Sequence, residues 1–298
     1  MTRRVLVVGA GSLGSLVGGL LARRHDVVLV GRDPHVSAVE TDGLHVEGAV
    51  ETTVRPEATT TVPGGRFDLA VVTVKAYDTD TAATALADRS VGAVVSLQNG
   101  LGNEERLAST LTCPVLAGTC TYGARLVEPG RVACTGLGEV ALGARGGGAS
   151  ATADEVGAAF TAAGVETTVA PDMPRRLWTK LAVNAGINAV TALARVPNGA
   201  LVDGPAAGTA HTAARETARV ARGAGVDLPD DRATERLVTV AETTATNVSS
   251  MRADVEAGDR TEVDAIYGAV VDRADGSVPV NETLAALVRA WERERGLR

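Results

Sequence analysis

Val5-Leu6-Val7-Val8-Gly9-Ala10-Gly11-Ser12-Leu13-Gly14 is the stretch on which the reading of this chain turns. Four consecutive apolar residues suit a strand buried on both faces, as parallel strands are. The glycines that follow have the spacing G-x-G-x-x-G, and residues 13–24 then have helical spacing. In such a turn the first Gly makes a tight bend and the second lets the backbone approach a pyrophosphate. The third lets helix and strand pack closely. The amino end of the helix would face the phosphates. The stretch therefore predicts dinucleotide binding through Gly9, Ala10, Gly11, Ser12, Leu13 and Gly14.

Further apolar runs at 27–30, 69–74 and 94–97 read as buried strands, with helices at 79–88 and 103–111 between them. Strand and helix in this alternation predict an α/β fold with a doubly wound parallel sheet. Residues 122–142 read as short, Gly-punctuated strands, followed by a helix near 152–163. A boundary is expected at Pro171, with Asp172 and Pro174 as cap and first-turn proline of a new helix. Beyond it the pattern is helical nearly to the end. The expected organisation is a dinucleotide-binding domain over residues 1–171 and an all-helical, substrate-binding domain over 172–298.

Ligands of open α/β sheets bind at the carboxyl ends of the strands. Gly31-Arg32-Asp33 follows the second strand, where an acidic residue selects NAD and an Arg accommodates the 2′-phosphate of NADP. Arg32 comes first and favours NADP; with Asp33 facing the ribose, NAD would be used. Lys75 and Gln98-Asn99-Gly100 occupy the corresponding places after two later strands.

The chain has 298 residues, 45% of them hydrophobic, and a formal net charge of −7. A chain of this length buries a sizeable core without a metal or disulfide staple. No apolar run approaches the roughly 20 residues of a membrane span. The amino-terminal apolar run is too short for a signal peptide, so a cytoplasmic protein is expected. The acidic balance gives no basic footprint for nucleic acid. Cys113, Cys120 and Cys134 lack metal-ligand spacing, and His25, His35, His45 and His211 are scattered. Metal catalysis and Ser-His or Cys-His chemistry are accordingly set aside.

Of the 29 basic residues, 27 are Arg and two, Lys75 and Lys180, are Lys. Arg stays protonated, whereas a desolvated Lys can lose its proton. Lys180 lies in Trp178-Thr179-Lys180-Leu181-Ala182-Val183-Asn184-Ala185-Gly186-Ile187-Asn188. Lys180, Asn184 and Asn188 are four apart, and each step of four turns about 400° on a helix, so they share one stripe. Asn is a poor helix-interior residue, and a solvated stripe in this chain would carry Arg and Glu. A second polar cluster is Asn247-Val248-Ser249-Ser250-Met251, and Arg260-Thr261-Glu262-Val263-Asp264 interrupts the helical text after Gly258. Glu262 could act as a cap-region carboxylate or bind a ligand hydroxyl.

At these residues the chain resembles the ketopantoate reductase (2-dehydropantoate 2-reductase) family. The resemblance is carried by the glycines at 9–14, Lys75, Gln98-Asn99-Gly100, the run from Trp178 through Lys180, Asn184 and Asn188, Pro197-Asn198-Gly199, Asn247-x-Ser249-Ser250-Met251 and Thr261-Glu262-x-Asp264. They cover nearly the whole chain. The resemblance implies a Rossmann domain joined to a helical domain of the 6-phosphogluconate-dehydrogenase type, with the active site in the cleft between them. It implies NADPH-dependent reduction of 2-dehydropantoate to (R)-pantoate in pantothenate and coenzyme A synthesis, by a monomer or homodimer. It makes Lys180 the proton donor. Asn99 would touch cofactor and substrate; Asn184, Asn188, Asn198, Asn247 and Ser250 would bind substrate. Glu262 would lie near the substrate hydroxyl and the nicotinamide, and Ala124 would border the cofactor. Other readings are a reductase of another small 2-oxo acid and a non-enzymatic sensor of NADP redox state.

The chemistry agrees independently of the resemblance. A ketone that receives hydride develops negative charge on oxygen. With no His in the motifs, a Lys is the available acid, and neutral amides can bind a polar substrate without raising its pKa.

Overall fold

The computed structural model describes residues Met1–Arg298. The chain divides into two compact units. One comprises Met1–Gln98 and Asn103–Met173; the other comprises Pro174–Arg298 together with a four-residue excursion, Asn99–Gly102.

The first unit begins β1 (Arg4–Val8), α1 (Ser12–Leu21), β2 (Asp26–Val30), α2 (His35–Asp42), β3 (Leu44–Gly48), β4 (Thr52–Val54) and β5 (Glu57–Thr59). It continues with β6 (Arg66–Phe67), β7 (Leu69–Val72), α3 (Thr79–Ala87), β8 (Ser90–Val91), β9 (Val94–Ser96) and α4 (Asn103–Thr110). The remainder is β10 (Val115–Cys120), β11 (Gly123–Glu128), β12 (Arg131–Gly136), β13 (Val140–Ala144), α5 (Ala151–Ala162) and β14 (Thr167–Val169).

Eight strands form the main sheet in the order β5-β2-β1-β7-β9-β10-β13-β14. The six from β5 to β10 are mutually parallel. The expected parallel sheet needs one amendment, because β13 runs antiparallel to β10 and carries β14 parallel to itself. Between β10 and β13 the chain makes the β11–β12 hairpin rather than a helical crossover, and without a crossover the next strand returns in the opposite sense. That hairpin joins β3 and β4 in a separate sheet, ordered β11-β12-β3-β4.

The continuous apolar runs are explained by burial on both faces. Val5, Val7, Leu69, Val71 and Val95 pack on one side with Leu16, Val17 and Leu20 of α1. The alternate residues Leu6, Ala70, Val72 and Val94 pack on the other with Ala82, Ala83 and Leu86 of α3 and Leu107 of α4. Buried His35 ties three elements together: its Nδ1 accepts from Gly130 N at the β11–β12 turn, and its Nε2 lies 2.9 Å from Ser15 Oγ of α1. Acceptance at Nδ1 leaves the ring proton on Nε2, and burial lowers the histidine pKa, which favours this neutral form.

The second unit contains α6 (Met173–Ala194), α7 (Ala207–Gly223), α8 (Asp230–Thr243), α9 (Ser250–Ala257), α10 (Ala269–Asp272) and α11 (Pro279–Glu294). The first residue of α6, Met173, belongs to the first unit. A π-helical turn, Asp264–Gly268, leads into α10. Its core is rich in alanine, with Ala185, Ala189, Ala210, Ala213, Ala214 and Ala218 buried, so the helices approach closely. At Gly186 a Cβ would fall 2.9 Å from Ala210 O and 2.8 Å from Leu237 Cδ1. The amino end of α11 is satisfied by Glu216 of α7, whose carboxylate accepts from the Val280 and Asn281 backbone N–H groups. No helix is long and apolar enough to cross a membrane.

Candidate functional site

In the first unit β1 and β7 are adjacent, and the strand order diverges from this pair in both directions. The Gly-rich turn follows β1 and Lys75 follows β7, so both lie at the carboxyl edge where such sheets bind ligands. The turn is held by Gly9 N and Ala10 N, which donate to Val30 O. Gly9 has φ +111°, a conformation that favours glycine, and a Cβ there would meet Val74 N at 2.5 Å. At Gly14 a Cβ would fall 2.1 Å from Gly9 O. Gly11 is different: it is exposed, and a Cβ there meets no atom within 4 Å. The first and third glycines thus serve packing, while the second faces open space. Gly11 is also the N-cap of α1 and supplies no side-chain cap to the helix N–H groups. An open glycine beside an uncapped helix terminus fits an anionic diphosphate.

Other members of the expected dinucleotide set frame this turn. Buried Ala10 and half-buried Leu13 belong to the main core. Ser12 Oγ accepts from Leu126 N of β11, tying the second sheet to the start of α1, and Ala124 is half-buried on the same strand. Thr73 was not singled out in the sequence; its hydroxyl donates to Gly9 O at 2.9 Å and so clamps the turn. It is the one polar residue of the apolar run 69–74, and that is the signal that could have found it. Half-buried Lys75 occupies the position just before the 3₁₀ turn Ala76–Asp78. Gln98 points inward instead of toward a ligand: its Nε2 donates to Val74 O and Thr79 Oγ1.

After β2, Arg32 and Asp33 have distinct surroundings. The Arg32 side chain is 88% exposed, with Nη2 3.3 Å from Asp78 Oδ2. The Asp33 carboxylate accepts from Ser37 N and Ser37 Oγ in the first turn of α2.

In the second unit α6 carries Lys180, Asn184 and Asn188 as the spacing predicts, and burial increases along them: Lys180 and Asn184 are half-buried, Asn188 is buried. Asn188 Nδ2 is enclosed and has no protein partner. Asn198 is also buried. Its Nδ2 donates to Thr244 Oγ1 at 2.9 Å, while its Oδ1 is likewise enclosed without a protein partner. Leaving a buried polar group unsatisfied costs about 1–3 kcal/mol, which suits atoms reserved for a polar ligand. Asn247 holds this region through its backbone, its carbonyl accepting from Asn198 N, and its side chain is exposed.

The two adjacent serines divide their roles. Ser249 is buried and caps α9, its Oγ accepting from Arg252 N and lying 2.7 Å from Thr191 Oγ1 of α6. Ser250, one residue on, is exposed in the first turn. Glu262 is buried just before the π-helical turn, and its Oε2 accepts from Asn99 Nδ2 at 3.2 Å. This bond explains the excursion of Asn99–Gly102, in which Leu101 N also donates to Ala265 O. Thr261 is anchored by two donations, from N and Oγ1, to fully buried Glu292 Oε1. Arg298 pairs with both Glu292 and Asp264. Glu292 escaped notice in the sequence because it stands among exposed charges of α11.

The Gly-rich cradle on a mostly parallel sheet and the all-helical second unit define a class, the Rossmann-type dinucleotide-binding proteins with an appended helical unit. The chain belongs to the ketopantoate reductase family: it matches the description "Ketopantoate reductase PanE/ApbA" over residues 5–147 and that family's C-terminal region over residues 172–292. It is 46% identical over 302 residues to the 2-dehydropantoate 2-reductase of Halobacterium salinarum, covering 98% of this chain and 99% of that one. Among solved structures it resembles a PanE/ApbA family ketopantoate reductase from Ralstonia eutropha JMP134, with a TM-score of 0.90, 34% identity, and coverage of 98% and 99% of the two chains. A D-mandelate dehydrogenase, solved with NADH and anilino(oxo)acetate, shares the fold with a TM-score of 0.91 at 22% identity, covering 99% of this chain and 100% of that one.

Proposed function

We propose that the protein reduces 2-dehydropantoate to (R)-pantoate with NADPH, in the synthesis of pantothenate and coenzyme A. Family membership supports the reaction class. The observation that carries the reading is that two of the expected substrate amides each hold an enclosed atom without a protein partner, Asn188 Nδ2 and Asn198 Oδ1, as Asn281 Oδ1 does elsewhere in the second unit. One offers a donor and the other an acceptor, as a small oxo acid bearing a hydroxyl requires.

The dinucleotide diphosphate would lie against Gly11 and the amino end of α1, and when bound the nicotinamide supplies a hydride. The protein's remaining task is to bind the oxo acid and protonate its C2 oxygen. As the C2 carbonyl accepts two electrons, negative charge gathers on that oxygen. Lys180 Nζ gives it a proton and is then reprotonated from solvent. Asn184, Asn188, Asn198 and Ser250 orient the substrate, and Glu262 with Asn99 holds its hydroxyl end. Uncharged amides leave the lysine free to lose its proton, whereas added carboxylates would strengthen its hold on it.

The different surroundings of Arg32 and Asp33 support NADPH over NADH. The Asp33 carboxylate is engaged in α2, and the exposed Arg32 guanidinium can receive a 2′-phosphate. Arg32→Ala is expected to weaken NADPH binding roughly ten- to a hundredfold, the worth of a charge-assisted hydrogen bond, with little change for NADH. Equal losses for both nucleotides, in a binding titration, would exclude this role.

Asn184→Ala and Ser250→Ala are each expected to raise the KM for the oxo acid by about tenfold, as loss of one hydrogen bond to a charged or polar substrate does. NADPH affinity should stay within twofold of native, and its collapse would remove these residues from the substrate side. The overall reading is tested by following NADPH and NADH oxidation with 2-dehydropantoate and with related 2-oxo acids. Turnover confined to another oxo acid would replace the substrate assignment, and nucleotide binding without any turnover would favour a sensor.

A further inference from the structure

Tyr267 is fully buried in the π-helical turn that follows Glu262. Its hydroxyl accepts from Ala189 N at 2.7 Å and donates to Ala185 O at 2.8 Å. These two backbone groups are the N–H and C=O that an α-helix would join directly as an i→i+4 pair. The phenol oxygen therefore bridges the donor and acceptor of one hydrogen-bonding step of α6, which is α-helical from Met173 to Ala194. Asn184 O lies 3.4 Å from the same hydroxyl. The bridged residues, Ala185 and Ala189, stand one position after Asn184 and Asn188 respectively. Burial also pushes the phenol pKa well up, so the hydroxyl keeps its proton and both hydrogen bonds persist at ordinary pH.

We propose that Tyr267 is a positioning residue for substrate binding: its hydroxyl, bonded to both Ala185 O and Ala189 N, fixes the stretch of α6 backbone that carries Asn184 and Asn188. Two further observations point the same way. Asn188 Nδ2 is enclosed with no protein partner, so its direction depends on the helix backbone that carries it. Gly186, between the two bridged residues, packs against Ala210 O and Leu237, which holds one side of α6 while the phenol holds the other. Tyr267 also comes from the same short π-helical segment that follows Glu262, and single π turns recur at functional sites. The two bonds to the phenol hydroxyl hold the four-residue step that brings Asn188 round onto the same face as Asn184. The inference rests on the reading of Asn184 and Asn188 as substrate ligands.

Tyr267→Phe keeps the ring and removes only the bridging oxygen. The variant should fold, with a melting temperature lower by roughly 2–4 °C for each kcal/mol of lost hydrogen bonding. The KM for 2-dehydropantoate should rise about five- to twentyfold, kcat should change less than threefold, and NADPH affinity should stay within twofold of native. In an Asn188→Ala background, Tyr267→Phe should add less than twofold to KM, since its effect is exerted through that amide. A lowered melting temperature with native KM would reduce Tyr267 to a structural tyrosine. A full additional effect on the Asn188→Ala background would separate it from Asn188; either result overturns the proposal. Native KM in both Asn184→Ala and Asn188→Ala would instead overturn the substrate reading, and the proposal with it. That failure is distinguished by the asparagine variants alone. Should Tyr267→Phe not fold, Tyr267→Met, which fills the pocket without a hydroxyl, is measured against the same criteria.

Discussion

Lys180→Arg is expected to lower turnover by roughly 10²–10⁴-fold, the usual contribution of a positioned general acid, while leaving NADPH binding intact. The substitution keeps the charge and most of the reach. It is also the exchange that this chain tolerates nearly everywhere else, with 27 of its 29 basic residues being Arg. An electrostatic role for Lys180 would survive it. Proton donation would not, because a guanidinium with a pKa above about 12 scarcely releases a proton at neutral pH, and its planar fork needs more room on a half-buried helix face. The pH profile of kcat should lose the limb that reports the lysine. A variant within threefold of native turnover and with an unchanged profile would remove Lys180 from the acid role and leave the source of the proton open.

That lysine could be found in the sequence because a helix imposes its own ruler. Lys180, Asn184 and Asn188 stand four apart, and α6 carries them as one stripe of rising burial. The Gly-rich turn was legible for a similar reason, since strand, bend and helix are neighbours in the chain. Features made by distant residues were not. His45 of β3 pairs with Arg131 of β12, a partnership that no local pattern announces, so the second sheet was read only as short strands near its carboxyl-terminal half. The reversal of β13 depends on the absence of a crossover, which apolar periodicity does not record. Gln98 has the place of a ligand residue because it follows a strand, but its amide is spent joining the loop after β7, at Val74 O, to Thr79 of α3. Ser249 and Ser250 are chemically alike; only the start of α9 decides which caps the helix and which is exposed. Tyr267 resembled any aromatic core residue, because its hydroxyl partners lie on a helix about 80 residues earlier in the chain.

Two glycines of one motif should fail in opposite ways when each is changed to alanine. A Cβ at Gly14 would lie 2.1 Å from Gly9 O and 2.6 Å from Thr73 Oγ1. Both atoms are already committed to each other by a 2.9 Å hydrogen bond, so relieving the clash must move the turn or part α1 from β1. Overpacking of this kind costs about 1–3 kcal/mol or more, hence a melting temperature lower by roughly 2–12 °C for a chain of this size. At Gly11 the added methyl meets no protein atom, and the backbone at φ −87° and ψ −158° is open to any residue. Gly11→Ala should therefore keep or slightly raise the melting temperature, since alanine restricts the unfolded chain. Its methyl would occupy the space into which a diphosphate must come, and NADPH affinity should fall at least tenfold, equivalent to about 1.4 kcal/mol. Calorimetric melting and a nucleotide titration on the two variants separate the effects. Stability lost at Gly14 and affinity lost without stability at Gly11 would assign packing to one glycine and ligand approach to the other. Native NADPH affinity in Gly11→Ala would mean that the diphosphate does not lie against this turn, and the dinucleotide site would have to be sought elsewhere on the sheet.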